Sequence, residues 1–340
     1  MTAAITENPF PGLRPFEPHE SFLYFGRDDQ IDELLARLEQ TRFLAVVGTS
    51  GGGKSSLIRA GLLPALQRGY MTGAGSRWRV ALFRPGDDPI GGLAKALDQP
   101  RETLDRSSLG LVEATKDLRL DRRENLLVVV DQFEELFRFH KLAVARDGED
   151  EAAAFVKLLL RASEQSEVPS YVVLTMRSDY LGDCAQFRGL PEALNSGQYL
   201  VPRMTRDQQC EAIEDPVAVG GAEITPRLVQ RLLNDVGDDP DQLPILQHAL
   251  MRTWELSGVA RSQGQPIDLE HYEATGTTAE ALNRHADEAF EELRDELGGQ
   301  EIARKLFQRL TEKGADKRET RQPTSLRELC AVTEADEAHV

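Results

Sequence analysis

Five short apolar segments recur in the first 200 residues and predict the strands of a β-sheet. They are FLAVV (43–47), WRVALF (78–83), LLVVV (126–130), YVVLT (171–175) and YLV (199–201). Several are apolar throughout instead of alternating with polar residues, which is typical of parallel strands covered by helices on both faces. The segments between them are long enough for helical crossovers. The pattern predicts a doubly wound α/β domain with a five-stranded parallel sheet that ends near Pro202.

After Pro202 the pattern becomes helical. Residues 205–218, 225–237 and 244–256 predict three helices, with breaks at Gly220-Gly221 and within 237–244. Residues 257–266 are rich in glycine, serine and proline, which is typical of a linker or an exposed loop. Beyond them, 277–299 and 301–314 predict two longer helices and 325–329 a short one. We therefore expect three domains: 1–202, 203–265 and 266–340.

Composition limits the partners of the chain. Among 340 residues, 57 are acidic and 40 basic, for a net charge of −17. This charge opposes binding to nucleic acids or anionic membranes. No apolar run approaches the roughly 20 residues of a membrane helix, and the first ten residues lack the features of a secretory signal. We expect a cytoplasmic protein with neither membrane nor nucleic acid as partner.

Cysteine and histidine usage gives no sign of a disulfide framework or a zinc site. The three cysteines lie far apart without paired spacing, and the six histidines never occur three or four residues apart. Candidate chemistry therefore has to come from other residues.

The segment VVGTSGGGKSSL (46–57) combines four glycines, a lysine and serines between a predicted strand and a predicted helix. Its spacing, Gly48-x4-Gly53-Lys54-Ser55, is that of a phosphate-binding P-loop. In such a loop the backbone N–H groups, here those of Ser50, Gly51, Gly52, Gly53 and Ser56, surround phosphates, while lysine reaches the terminal ones and serine binds magnesium. The motif predicts a nucleoside triphosphate site.

The segment LLVVVDQFEELF (126–137) ends a buried strand in Asp131. A carboxylate at this position beside a P-loop can hold Mg²⁺ together with Ser55, and a nearby glutamate can activate water. Gln132 occupies the position where many hydrolases place that glutamate. The role is therefore left to Glu134 or Glu135, between which the sequence does not decide.

The segment YVVLTMRSDYL (171–181) ends another buried strand in Arg177. In this class of sheet we expect the strand to lie between those that carry the P-loop and Asp131. Arg177 would then face the γ-phosphate and stabilise its charge. The alternative is a surface arginine paired with Asp179.

Several longer stretches resemble the STAND class of P-loop NTPases, in the bacterial novel STAND branch. They are the N-terminal segment 8–38, GKSSLIRAGLLPAL (53–66), VVVDQFEELF (128–137) and TMRSDYLGDC (175–184). The resemblance implies that Phe25, Gly26 and Arg27 lie near the adenine and that Pro244 contacts the base from the lid. It also implies that residues 266–340 form a winged-helix-like module. A histidine of such a module can reach a phosphate; His271 and His285 are candidates, with core packing as the alternative for each.

The resemblance further implies a switch that binds ATP or ADP with Mg²⁺, hydrolyses ATP slowly and forms a homo-oligomer in the ATP state. Sensor and effector domains would lie after this chain or on another polypeptide. Two alternatives remain: a motor or loader ATPase of the related AAA+ type, and a nucleotide-bound scaffold that does not hydrolyse. The acidic charge and the lack of a sensor-2-like arginine oppose the first, whereas Gln132 after Asp131 permits the second.

Overall fold

The fold is described from a computed structural model over residues 8–118, 124–137, 151–165, 170–237, 242–295, 298–313, 319–321, 324 and 326–336. Contacts divide the chain into two compact units, Met1–Tyr272 and Glu273–Val340. The domain boundaries expected after residues 202 and 265 stay predictions. No helix within these ranges has both the length and the apolar character needed to cross a membrane.

The first unit is built on a sheet of five strands: β1 (Phe43–Gly48), β2 (Arg77–Phe83), β3 (Glu124–Val130), β4 (Ser170–Arg177) and β5 (Gln198–Leu200). All pairings are parallel, in the order β2-β3-β4-β1-β5. The predicted sheet is confirmed, with one strand on each apolar segment. β4 lies between β1 and β3, as expected. The strands that end at the P-loop, Asp131 and Arg177 are therefore adjacent.

Helices cover both faces of this sheet. In the sequence up to β5 they are α1 (Asp28–Thr41), α2 (Lys54–Ser56), α3 (Leu63–Gln67), α4 (Pro89–Leu97), α5 (Arg101–Asp105), α6 (Gly110–Asp117), α7 (Glu151–Glu164) and α8 (Leu190–Ser196), with 3-10 turns at Pro18–Leu23, Ser178–Tyr180 and Gly182–Gln186. Phe43, Ala45 and Val47 of β1 pack in the cluster that contains α4 to α8, whereas Leu44 and Val46 pack with α1 and α3. Alternate side chains thus fill two cores, which explains why strands such as β1 are apolar throughout.

The helix after the P-loop contains a π-helical segment, Leu57–Leu62, between α2 and α3. Pro64, which follows it, has no N–H group to donate to the carbonyl of Ala60. The preceding N–H, that of Leu63, donates to Ile58 O, five residues back. Gly61 lies in this segment against α1, where a Cβ atom would come within 2.9 Å of the Ile31 side chain. The π-helical turn accommodates the proline without ending the helix.

The rest of the first unit is helical: α9 (Arg206–Val219), α10 (Pro226–Val236), α11 (Leu243–Leu256) and α12 (Gly258–Ser262), followed by α13 (Leu269–Ala274) at the division between the units. The three helices predicted here are α9, α10 and α11. The predicted break at Gly220-Gly221 is present, since α9 ends at Val219 and Gly221 has a positive φ of 74°. A Cβ on Gly220 would lie 2.4 Å from the Trp254 ring. A second break was predicted within 237–244. Residues 238–241 of that segment lie outside the described residues.

Residues 257–266, predicted to be a linker or an exposed loop, begin with a helix and are exposed from 262 to 266. They contain α12, and the Arg261 guanidinium lies 3.7 Å from the Trp254 ring centroid. Ile267, which follows directly, pairs with Ile224 in an isolated bridge. The glycine and serine content predicted a linker or an exposed loop. These contacts instead attach the segment to α11 and to Ile224, which precedes α10.

The second unit contains α14 (Thr277–Glu292), a 3-10 turn at Leu293–Asp295, α15 (Gly299–Leu310), β6 (Thr311–Lys313), β7 (Glu319–Arg321) and α16 (Leu326–Thr333). β6 and β7 form an antiparallel pair that the sequence reasoning missed. The helix predicted over 301–314 ends instead at Leu310. Thr311 is extended and its hydroxyl donates to Phe307 O at 2.8 Å, which satisfies a terminal carbonyl. Strands of three mostly charged residues leave no apolar alternation to detect.

Candidate nucleotide site

The loop between β1 and α2 carries the predicted phosphate-binding residues. Gly51 and Gly53 have positive φ angles of 70° and 81°, and a Cβ atom on Gly52 would lie 3.3 Å from Thr49 O. Glycine permits this tight curl, which side chains would obstruct. The helix begins at Lys54, directly after the loop. This order places unpaired N–H groups beside the space in front of the loop.

That space is a cavity of about 310 Å³ within the first unit. Its walls come from an N-terminal segment, the P-loop, the carboxyl ends of β2, β3 and β4, and the start of α11. The lining residues are 11–16, 50–56, Arg84, Gln132, Glu134, Thr175, Arg177, Leu243, Pro244 and Gln247. Of the predicted site residues, Ser50 to Ser56, Glu134, Arg177 and Pro244 therefore meet at one cavity.

Lys54 is held against the loop itself. Its ammonium donates to Gly48 O at 3.1 Å and to Thr49 O at 2.6 Å. Burial lowers the pKa of Lys54, while the carboxylate of Glu134 opposes that shift. A partly desolvated cation at the cavity wall favours an anionic ligand, because a phosphate would replace the missing water with opposite charge.

Asp131 is buried directly behind the P-loop helix. Its Oδ1 accepts hydrogen bonds of 2.7 Å from both Ser55 Oγ and Thr175 Oγ1. Its Oδ2 lies 3.3 Å from Nη2 of Arg59. The carboxylate and Ser55 thus form an oxygen pair of the kind that holds Mg²⁺ through few protein ligands, with water and phosphate completing the coordination. In the described ranges no group of three or more His, Cys, Asp or Glu is placed to hold a metal.

The turn after Asp131 separates the two candidate glutamates. Gln132 has a positive φ of 60°, and its N–H donates to Thr175 Oγ1 at 2.9 Å. Glu134 lines the cavity, where its carboxylate accepts from the N–H of Arg177 at 3.4 Å. Glu135 is absent from the described cavity wall and accepts instead from the N–H of Gly86 at 3.3 Å. Burial raises the pKa of Glu134 above its usual range. Only Glu134 is therefore placed to contact a ligand in this cavity.

Arg177 combines both interpretations that the sequence left open. It lines the cavity, yet its guanidinium pairs with the carboxylate of Asp179, with a second contact of 3.3 Å from Nε. It also lies 5.8 Å from the ring centroid of Tyr180. A phosphate contact would require Arg177 to leave or share Asp179.

The N-terminal segment forms a strap across the P-loop, which we define as residues 8–17. At one end Asn8 donates to Met251 O of α11 at 2.9 Å. At the other, the N–H of Phe16 donates to Ser56 Oγ at 3.2 Å. The strap thus connects α11 to the P-loop helix.

The sequence reasoning missed several residues of this site. Arg14 from the strap and Arg84 after β2 add two cations to the cavity wall, and Gln247 lies one helical turn after Leu243. Arg84 directly follows a predicted strand, and in such folds ligands bind at the carboxyl ends of the strands. Its position alone could therefore have indicated a ligand contact. No comparable signal marks Arg14 or Gln247.

A smaller cavity of about 80 Å³ lies beside the first and shares Phe16, Gly53, Ser56, Leu243 and Gln247 with it. Phe25 and Arg27 line it, as the resemblance implied for the adenine site. Gly26 has a φ of 78°, and a Cβ there would lie 2.3 Å from Gln208 O. Arg27 is buried and donates to Pro202 O at 2.9 Å. Burial lowers the pKa of Arg27.

The two candidate histidines are placed differently. His271 accepts a 3.0 Å hydrogen bond at Nδ1 from the N–H of Asp268, which is a local turn contact. His285 lies on α14 in the second unit. Neither ring lines the described cavities, so the phosphate role stays a prediction.

Comparison with solved structures finds similarity at low sequence identity. The Aeropyrum pernix ORC2 protein, solved in ADPNP and ADP complexes, is 12% identical with a TM-score of 0.49, over 72% of this chain and 66% of that one. A Walker-type ATPase of Pyrococcus abyssi is 16% identical with a TM-score of 0.46, over 95% and 91%. The Thermotoga maritima RuvB Holliday junction branch migration motor is 12% identical with a TM-score of 0.45, over 96% and 86%. The chain thus spans just under two thirds of the Aeropyrum protein.

No curated protein sequence matches the chain. The sequence profile of one family, described as Novel STAND NTPase 1, matches residues 9–340. This match extends from the strap through the P-loop and lid into the second unit. The chain therefore belongs to the Novel STAND NTPase 1 family.

Proposed function

We propose that this P-loop NTPase is a switch that binds ATP or ADP with Mg²⁺ in the described cavity and hydrolyses ATP slowly. The observation that carries the proposal is the junction of the P-loop with the buried Ser55–Asp131 pair at a cavity also lined by lid residues. The cavity wall holds four cations, Lys54, Arg14, Arg84 and Arg177. Because Arg14 is paired with Glu20 and Arg177 with Asp179, the polyanionic tail of a nucleotide would meet chiefly Lys54 and Arg84 unless those pairs open.

Phosphate binding falls to the P-loop. The N–H groups of residues 50–56 and the Lys54 ammonium would hold the phosphates. Lys54 would exchange its contacts with Gly48 O and Thr49 O for phosphate oxygens. Ser55 and Asp131 would hold Mg²⁺, which when bound neutralises charge on the phosphate oxygens.

Hydrolysis needs a base that directs water, and we assign that role to Glu134. Its carboxylate faces the cavity beside the end of β4, whereas that of Glu135 is bound to Gly86. The raised pKa of Glu134 makes the carboxylate a better proton acceptor than an exposed one. Arg177, released from Asp179, would stabilise negative charge that develops on the γ-phosphate.

The base would occupy the smaller cavity lined by Phe25 and Arg27, while Pro244 lines the larger cavity next to Leu243, which both cavities share. These walls come from the N-terminal segment and from the lid helix α11. A nucleotide that spans both cavities would therefore contact the sheet domain and the lid at once. That double contact is how ligand binding could bias the lid position.

A switch needs ligands that favour different arrangements. Moving a two-state element from 1:99 to 99:1 takes about 5.5 kcal/mol of differential affinity. Since the γ-phosphate distinguishes ATP from ADP, Glu134 and Arg177 are the residues that would sense it. We propose that the ATP state forms a homo-oligomer and that sensor or effector domains follow this chain or belong to a separate protein.

The test is to identify the nucleotide that purifies with the protein and to measure its mass in solution with ADP and with a nonhydrolysable ATP analogue. We expect bound adenine nucleotide and a larger assembly only with the ATP analogue. A nucleotide-free protein that remains monomeric with both ligands would contradict the switch.

A further inference from the structure

Arg59 lies one helical turn after Ser55 and contacts the same carboxylate from the opposite side. Ser55 binds Oδ1 of Asp131, and Arg59 Nη2 lies 3.3 Å from Oδ2. The Arg59 side chain is only 16% exposed and that of Asp131 2% exposed. A buried carboxylate without a counter-charge is strongly destabilising, so this contact is the direct ion pair that stabilises Asp131, to which Lys54 adds opposite charge at longer range.

Arg59 is shared with a second carboxylate. Its Nη1 lies 2.7 Å from Oε1 of Glu17, at the end of the strap. Its Nε–H is buried and has no partner in the described part of the chain. The guanidinium is therefore positioned by Glu17 and Asp131 together. The three side chains carry one net negative charge, because two carboxylates share a single cation.

We propose that Arg59 is a positioning residue of the metal site. Its guanidinium is the counter-cation of Asp131 when no metal is bound and opposes Mg²⁺ binding there, while Glu17 weakens that opposition. This inference rests on the proposed function, since it concerns the Mg²⁺ of the bound nucleotide. Arg59, on the P-loop helix, would therefore set the Mg²⁺ concentration that nucleotide binding requires.

Two substitutions should change the Mg²⁺ requirement in opposite directions. Arg59→Met removes a positive charge beside the metal site, while Ser55 and Thr175 still orient Asp131. The Mg²⁺ concentration for half-maximal binding of a fluorescent ADP should fall about tenfold. Glu17→Gln leaves Arg59 with Asp131 as its only charged partner among its described contacts, so that concentration should rise. Arg68→Met is the matched control, because Arg68 contacts Ser21 near the strap and not Asp131.

A second measurement separates this role from simple packing. In EDTA without nucleotide, Arg59→Met should unfold at a lower temperature than the unaltered protein, and Mg²⁺ with ADP should raise its unfolding temperature by more. A packing role predicts an equal loss under both conditions. Should Arg59→Met fail to fold, Glu17→Gln alone still tests the direction.

An unchanged or higher Mg²⁺ requirement in Arg59→Met, or an unchanged or lower one in Glu17→Gln, would overturn the inference. The proposed function has a separate failure. If the unaltered protein binds no ADP at any Mg²⁺ concentration, the nucleotide site itself is wrong. If it binds ADP normally and the variants match it, only the role of Arg59 is wrong.

Discussion

The hydroxyl of Ser55 donates a 2.7 Å hydrogen bond to Oδ1 of Asp131, although the two residues lie 76 positions apart in the sequence. The bond joins the P-loop helix to the end of β3. Since β4 separates β1 from β3 in the sheet, Thr175 of β4 completes the arrangement by donating to the same oxygen. Three adjacent elements therefore position one carboxylate at the candidate metal site.

Asp131→Asn should remove most of the effect of Mg²⁺ on nucleotide binding. The amide keeps the shape of the carboxylate but loses its charge. Since loss of even an outer partner of a metal site weakens metal affinity by about 10- to 100-fold, the loss here should be at least that large. Calorimetric titration of ADP with and without Mg²⁺ measures this. Asp179→Asn, at the next strand end, is the control and should leave the Mg²⁺ effect intact. Equal Mg²⁺ effects in Asp131→Asn and the unaltered protein would place the metal elsewhere.

Glu134→Gln should slow ATP hydrolysis by about 100- to 10,000-fold, the usual contribution of a general base. The nucleotide should still bind, because the substitution leaves the P-loop unchanged. Glu135→Gln is the matched control, since its carboxylate accepts from the N–H of Gly86 and does not itself line the described cavity. Phosphate release in single-turnover experiments distinguishes the two. A larger loss in Glu135→Gln would reverse the assignment.

The raised pKa of Glu134 predicts a specific pH dependence of stability. The folded state binds this proton more tightly than the unfolded state does, so the resulting stabilisation is complete below the ordinary pKa of 4.5 and is lost as pH rises through the folded-state pKa. Relative to the unaltered protein, Glu134→Gln should therefore gain free energy of unfolding between acidic and neutral pH. Denaturant unfolding from pH 4 to pH 8 tests this.

Asp179 supplies a control of opposite sign for that experiment. The Arg177 guanidinium lowers the pKa of Asp179, so its stabilisation is present above its ordinary pKa and is lost as pH falls through the lowered one. Relative to the unaltered protein, Asp179→Asn should therefore lose stability as pH rises from the acidic range. If Glu134→Gln also loses stability relative to the unaltered protein as pH rises, burial does not dominate the pKa of Glu134.

Gly61→Ala should destabilise the protein by about 1–3 kcal/mol, as expected for overpacking. The new Cβ would lie 2.9 Å from the Ile31 side chain, where the P-loop helix contacts α1. Gly182→Ala should have little effect, since a Cβ there has no neighbour within 4 Å. Thermal unfolding measures both. Adding Ile31→Ala to Gly61→Ala should relieve part of the strain, and strict additivity of the two losses would argue against the contact.

The sequence predicts the sheet well because its three central strands, β1, β3 and β4, are buried on both faces. FLAVV and LLVVV are apolar throughout, and helices separate them, so the parallel topology follows from the pattern. The P-loop can also be recognised from the sequence. Its tight curl requires glycines, and phosphate binding requires a lysine at the position of Lys54.

Other parts of the site depend on contacts between residues distant in sequence, which no local pattern records. Arg14 and Arg59 have no distinctive spacing, and only the fold brings them to the cavity and to Asp131. The choice between Glu134 and Glu135 also needed the turn geometry at Gln132. The short strands β6 and β7 lack apolar residues that could reveal them.

The most direct test of the account is nucleotide affinity in Lys54→Ala. Lys54 is the cation that the P-loop carries at the cavity wall, and Lys95→Ala on α4 is the control for loss of an exposed ammonium outside the described cavity wall. Calorimetry with ADP and an ATP analogue should show binding lost or weakened by at least about tenfold in Lys54→Ala and unchanged in Lys95→Ala. Undiminished binding in Lys54→Ala would contradict the claim that this loop holds the phosphates.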